Sequence, residues 1–191
     1  MRRLLIASTM SLLCISLQAQ FISFDALKDG VIDATDIKKE LILNGFTKIT
    51  ASPDSKIDTY VYYYDETVET ASIRVIIDPI IELENAGLYS IVVLTYGDYI
   101  HDDLVEEIKE NCTFDGTRVG DELVYTCDYT TFGVSFQDLH NAIIAYPNFE
   151  KLPKDSPFME EVKKMDMNEI KIMDMGEVLE YFKEMEEKEK K

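Results

Sequence analysis

The run LYSIVVLTY, Leu88 to Tyr96, is almost continuously apolar, and LHNAIIAYP, Leu139 to Pro147, repeats it position by position. Leucine falls on leucine, polar on polar, and then one apolar run on another. A bounded apolar run of this length reads as a central strand, and two copies of it restrict the chain to folds with a doubled sheet. LHNAIIAYP also fits the opening of a helix.

What precedes each copy repeats as well. ATDIKKELIL, Ala34 to Leu43, has helical spacing with Ile37, Leu41 and Ile42 sharing a face, and Asn44-Gly45 ends it. IDTYVYYYD (Ile57 to Asp65) and TASIRVIID (Thr70 to Asp78) follow as strands, the second alternating Ala71, Ile73, Val75 and Ile77. In the second half DDLVEEIKEN, Asp102 to Asn111, is a short acidic helix with Leu104, Val105 and Ile108 inward. ELVYTCDY (Glu122 to Tyr129) and TFGVSFQD (Thr131 to Asp138) read as a hairpin. The expected fold is α+β: two tandem αβββ units forming one antiparallel sheet of about six strands, with helices packed on one face. This layout resembles the tandem αβββ arrangement of β-lactamase-inhibitor-type proteins, small exported binders that grip a partner with one sheet face. The resemblance lies in architecture, with no shared motif to carry residues across.

The chain opens MRRLLIASTMSLLCISLQAQ. Arg2 and Arg3, an apolar stretch from Leu4 to Leu17 and the small Ala19 are the parts of a secretory signal peptide. The stretch is shorter than the ~20 apolar residues of a transmembrane helix. Residues 1–20 are therefore read as a leader, 21–147 as the duplicated domain, and 148–191 as a linker followed by a C-terminal helical appendage. That last part contains Val178, Leu179, Phe182 and Met185 at the spacing of an amphipathic stripe. The implied location is periplasmic or secreted, in a bacterial cell.

Loss of Arg2 and Arg3 takes the formal net charge from -18 to -20. Such a surface repels nucleic acid and anionic lipid and favours basic partners. Of three cysteines, Cys14 falls in the leader, which leaves Cys112 and Cys127 to form a structural disulfide outside the cytoplasm.

Three groups of residues are candidates for a site. TYVYYYD sends Tyr60, Tyr62 and Tyr64 to one face of a strand, a broad amphipathic surface suited to a protein partner or to packing beneath helices. The paired thioethers Met165, Met167, Met173 and Met175 have the softness to hold Cu(I), although no histidine or free thiol lies nearby in sequence and packing accounts for them without a ligand. Asp25, Asp29, Asp33 and Asp36 match part of a calcium-binding loop, but Leu27 occupies a ligand position. Asp33 as helix N-cap, with Asp36 in the first turn, explains the same residues.

His101 with Asp102, Asp103 and Glu106 is better explained by the favourable placement of acids at a helix start. No Gly-x-Ser-x-Gly, phosphate-binding glycine loop or free thiol nucleophile is present, so hydrolase and nucleotide chemistry lack a seat. The expectation is an exported, non-enzymatic binding protein of inhibitor or immunity type, acting without a cofactor on a protein that is plausibly basic. The alternatives are a periplasmic metal-handling protein and an envelope structural protein.

Overall fold

A computed structural model describes residues 22–49, 55–63, 73–83, 86–96, 101–117, 122–137, 140–154, 156, 158–159 and 163. Their strands are β1 (Thr47–Ile49), β2 (Asp58–Tyr62), β3 (Ile73–Leu83), β4 (Ala86–Tyr96), β5 (Thr113–Thr117), β6 (Leu123–Cys127), β7 (Thr130–Gln137) and β8 (His140–Pro147). They form one antiparallel sheet of eight strands in the order β1-β2-β3-β4-β8-β7-β6-β5. The α+β class is therefore correct, and the strand number exceeds the expected six. The two additional strands, β1 and β5, are the sheet edges. They are short and mostly solvent-exposed, so neither carries the apolar alternation by which strands are recognised.

β4 and β8 meet at the centre, and LHNAIIAYP is a strand rather than a helix. Setting Leu88 on Leu139 places Ile91 on Ala142 and Leu94 on Ala145. In the sheet Ile91 faces Ala145 and Leu94 faces Ala142. The pairing is thus unchanged when the two strands are exchanged, which is a local two-fold relation written in sequence and register alike. β3 runs five residues beyond the expected Asp78, through Pro79. The missing proline N–H is tolerated because β2 pairs with β3 only as far as Ile77, and a bulge between Pro79 and Ile81 adjusts the other side.

All three described helices, α1 (Phe24–Gly30), α2 (Thr35–Leu43) and α3 (His101–Asn111), contribute to one core on one face of the sheet. It contains Phe24 and Leu27 from α1, Ile37 and Leu41 from α2, and Leu104, Val105 and Ile108 from α3. These pack on Ile77, Ile91, Phe132 and Ile143 of the strands. Each such side chain, fully buried, contributes about 1.5–3 kcal/mol. Ile42 was expected on the inner face of α2 and is instead exposed. At 100° per residue it lies well round the helix from Ile37, whereas Leu41 is in line.

α1 was not expected as a helix. Ser23 caps it by accepting from Ala26 N at 3.2 Å, and the same hydroxyl donates to Glu40 Oε2 at 2.8 Å, tying α1 to α2. The helix ends against β4: a Cβ on Gly30 would stand 2.7 Å from Ile91 Cδ1 and 3.2 Å from Ile37 Cγ2, so a larger residue would force those core side chains to move. Cys112 and Cys127 form the expected disulfide, S–S 2.03 Å, which anchors the end of α3 to the end of β6. None of the described helices is long and apolar enough to cross a membrane.

Candidate functional site

Strand β2 alternates, and its even-numbered side chains face the helices. Tyr60 is 2% exposed within the core, and Tyr62 is half-buried with its ring 5.4 Å from that of Phe46. Burial, with Asp58 nearby, raises the Tyr60 phenol above its ordinary pKa. Tyr64 lies outside the described residues. The two tyrosines that can be placed therefore form packing beneath α2, the second of the two roles their spacing allowed. Tyr63, the next residue along, is exposed at the sheet border.

The exposed apolar surface beside this strand comes from α2. Asn44 N donates to Glu40 O, Gly45 N to Ile42 O and Phe46 N to Leu41 O, so the last helical carbonyls are satisfied locally. Gly45 adopts φ +87°, a conformation that glycine supplies without strain, and the chain turns back to bury Phe46. The consequence is that Ile42 and Leu43 project outward, 60% and 84% exposed. Tyr62 lies directly under this turn, its Cε2 3.6 Å from where a Cβ on Gly45 would be.

Charges flank the corner. Lys38 Nζ lies 2.9 Å from Asp58 Oδ2, and Lys48 also binds that carboxylate. Partial burial is the largest influence on Asp58 and opposes its ionisation. The two lysines together outweigh it and hold the carboxyl below its usual range. The hydrogen bond that Lys48 donates to Asp58 raises its own pKa in turn. The result is an exposed apolar tip, Ile42-Leu43, on the helix whose Lys38 joins the Asp58 ion triad and whose following turn packs on Tyr62.

The four aspartates of the calcium-like pattern do not converge. Asp25 and Asp29 sit on helix α1, not in a loop, and each lies 3.8 Å from Lys28. Asp29 also accepts from the Tyr129 hydroxyl. Asp33 precedes the N-cap, which is Ala34, and accepts from Thr35 N at 2.9 Å; hydrogen bonding from the Thr35 side chain first, and then from its backbone N–H, holds the Asp33 carboxyl below its usual range. Asp36 pairs with Lys39 at 2.9 Å. Among the described residues no group of three or more His, Cys, Asp and Glu side chains could hold a metal ion. Met165, Met167, Met173 and Met175 lie outside the described residues.

An open cleft of about 510 Å³ separates α1 from the end of α3, lined by Asp25, Lys28, Glu107, Asn111 and Asp128 among others. The Cys127 sulfur on its wall is held in the disulfide, and the Ser23 hydroxyl is engaged by Glu40. Neither is a free nucleophile, and the cleft wall mixes the carboxylates Asp25, Glu107 and Asp128 with Lys28 and Asn111.

No protein-family model, curated protein or solved structure matches this chain.

Proposed function

We propose that this chain is an exported, non-enzymatic protein-recognition module of the bacterial periplasm or exterior, of inhibitor or immunity type, whose contact surface is the corner formed by Ile42 and Leu43 at the end of α2. Residues 1–20 serve as a cleaved leader, and the fold is a duplicated helix-plus-meander unit followed by a helical C-terminal segment. The observation that carries the reading is the exposure of two adjacent large aliphatic side chains at the end of α2, just before the chain turns back to pack Phe46 on Tyr62. Aliphatic and aromatic groups held rigidly at a surface lose little entropy when a partner covers them, which is the property of an interface anchor.

The net charge of the mature chain selects a basic partner. Charge of one sign accelerates encounter with the opposite sign and makes binding sensitive to salt, while the apolar corner supplies the lifetime of the complex. The test is a capture from envelope extract with the mature chain and with its Ile42→Ser/Leu43→Ser variant, washed at rising salt. A basic protein retained by the first and lost by the second supports the reading. The same protein retained equally by both overturns it.

A further inference from the structure

The second face of the sheet is covered as thoroughly as the first, yet no described helix packs on it. Side chains alternate along each strand, so Ile76, Val92, Leu94, Ala142, Ile144 and Tyr146 point away from the helical core and form a separate cluster. Val92 and Ala142 are 0% exposed, and Arg74 on the same side of β3 is 6% exposed. A sheet face at this exposure has something lying across it.

We infer that the cover is the C-terminal segment of the same chain, residues 164–191, and that its methionines are packing groups of this second core. The chain leaves the described region at the right place. Leu152 and Phe158 share a buried cluster with Leu88, and Leu88 lies on the same side of β4 as Ser90, Val92 and Leu94. From there the segment has length to spare: about 15 helical residues span ~22 Å, close to the width of five strands at ~4.8 Å each.

Its composition fits the surface it would meet. Val178, Leu179, Phe182 and Met185 supply an apolar stripe, and the repeated Met-Asp-Met pairs supply adaptable thioethers for an irregular seam. This goes beyond the recognition corner, which belongs to the opposite face.

The sequence contains no tryptophan, so single reporters are unambiguous. Met173→Trp and Phe182→Trp are placed separately in the mature chain, 21–191, in which the leader is no longer present to act as the cover. Docking predicts blue-shifted emission and acrylamide quenching several-fold slower than for free tryptophan, in a monomer by sedimentation. In a second arm the chain is cut after Lys163. It is then expected to bind a hydrophobic dye or self-associate, and to lose that behaviour when a peptide of residues 164–191 is added. If the shortened chain does not fold, the reporters in the intact chain decide. Solvent-like emission at both positions in a folded protein, or burial that appears only with dimer formation, overturns the inference; the latter would make a second copy the cover.

Discussion

The Tyr129 hydroxyl donates a 2.6 Å hydrogen bond to the Asp29 carboxylate, joining the β6–β7 hairpin to the end of α1 across 100 positions of sequence. Thr130 Oγ1 reinforces the join by donating to Lys28 O at 2.8 Å. Asp128 sits at the tip of this hairpin with φ +48°, a conformation that aspartate tolerates better than most residues. The first and second halves of the chain are thus fastened at the hairpin as well as through β4 and β8.

This contact predicts a loss of stability in alkali. Burial first, then the hydrogen bond to Asp29, raises the Tyr129 phenol well above its ordinary value of 10.0. The folded protein keeps that proton while the unfolded chain releases it. The stabilisation is therefore fully present below about pH 10 and declines as the pH rises further. Denaturant titrations from pH 8 to 11 are expected to show this decline and to show less of it for Tyr129→Phe. The variant is also expected to be less stable at neutral pH by about 1–2 kcal/mol.

Asp58 predicts the opposite dependence at the acid end. Its carboxyl titrates below its ordinary range when folded, because Lys38 and Lys48 outweigh the effect of burial. Its contribution is present above the ordinary carboxylate pKa of about 3.9 and is lost as the pH falls through the lower folded value. Asp58→Asn is expected to reduce stability at pH 7 and to narrow the gap from wild type below pH 4, by thermal melts.

Tyr60 and the α2 corner separate stability from recognition. Tyr60→Ala opens a cavity in the core and is expected to cost about 3 kcal/mol, in the range of buried aromatic truncations. Ile42→Ser with Leu43→Ser removes exposed side chains and is expected to leave the melting midpoint nearly unchanged, within about 0.5 kcal/mol per site. A large stability loss in the double variant would show that these side chains serve packing.

The Cys112–Cys127 bridge spans 15 positions of sequence. In the chain-entropy treatment, a loop of that size contributes about 3 kcal/mol. Reduction, or Cys112→Ser with Cys127→Ser, is expected to lower stability by that order and to release the end of α3 first. Amide exchange in Leu104–Asn111 would report it.

The central pair of strands was legible as two similar apolar runs, although LHNAIIAYP also fitted a helix start and their pairing with each other was not read from the sequence. The disulfide was legible from the count of cysteines left once Cys14 is assigned to the expected leader. The edge strands were not, since Thr47–Ile49 and Thr113–Thr117 owe their extended form to neighbours distant in sequence. Helix α1 was hidden by its acidic residues, which imitate a calcium loop, while the Ser23 cap and the buried Phe24 and Leu27 were the available signal. The tyrosine run is a strand over Asp58–Tyr62 with Tyr60 and Tyr62 on one face, but spacing alone does not say whether that face looks inward. Ile42 and Leu43 were overlooked because adjacent aliphatic residues at a helix end are usually assigned to the core. Strict i, i+4 spacing from Ile37 would have separated them from Leu41.

The most direct test of the recognition corner is photocrosslinking in intact cells, with a photoreactive side chain at Leu43 and, as control, at Asp36 on the same helix. The account predicts one discrete adduct with a basic envelope protein from position 43, weakened by high salt and absent from position 36. No adduct at position 43, or the same adducts from both positions, would contradict it.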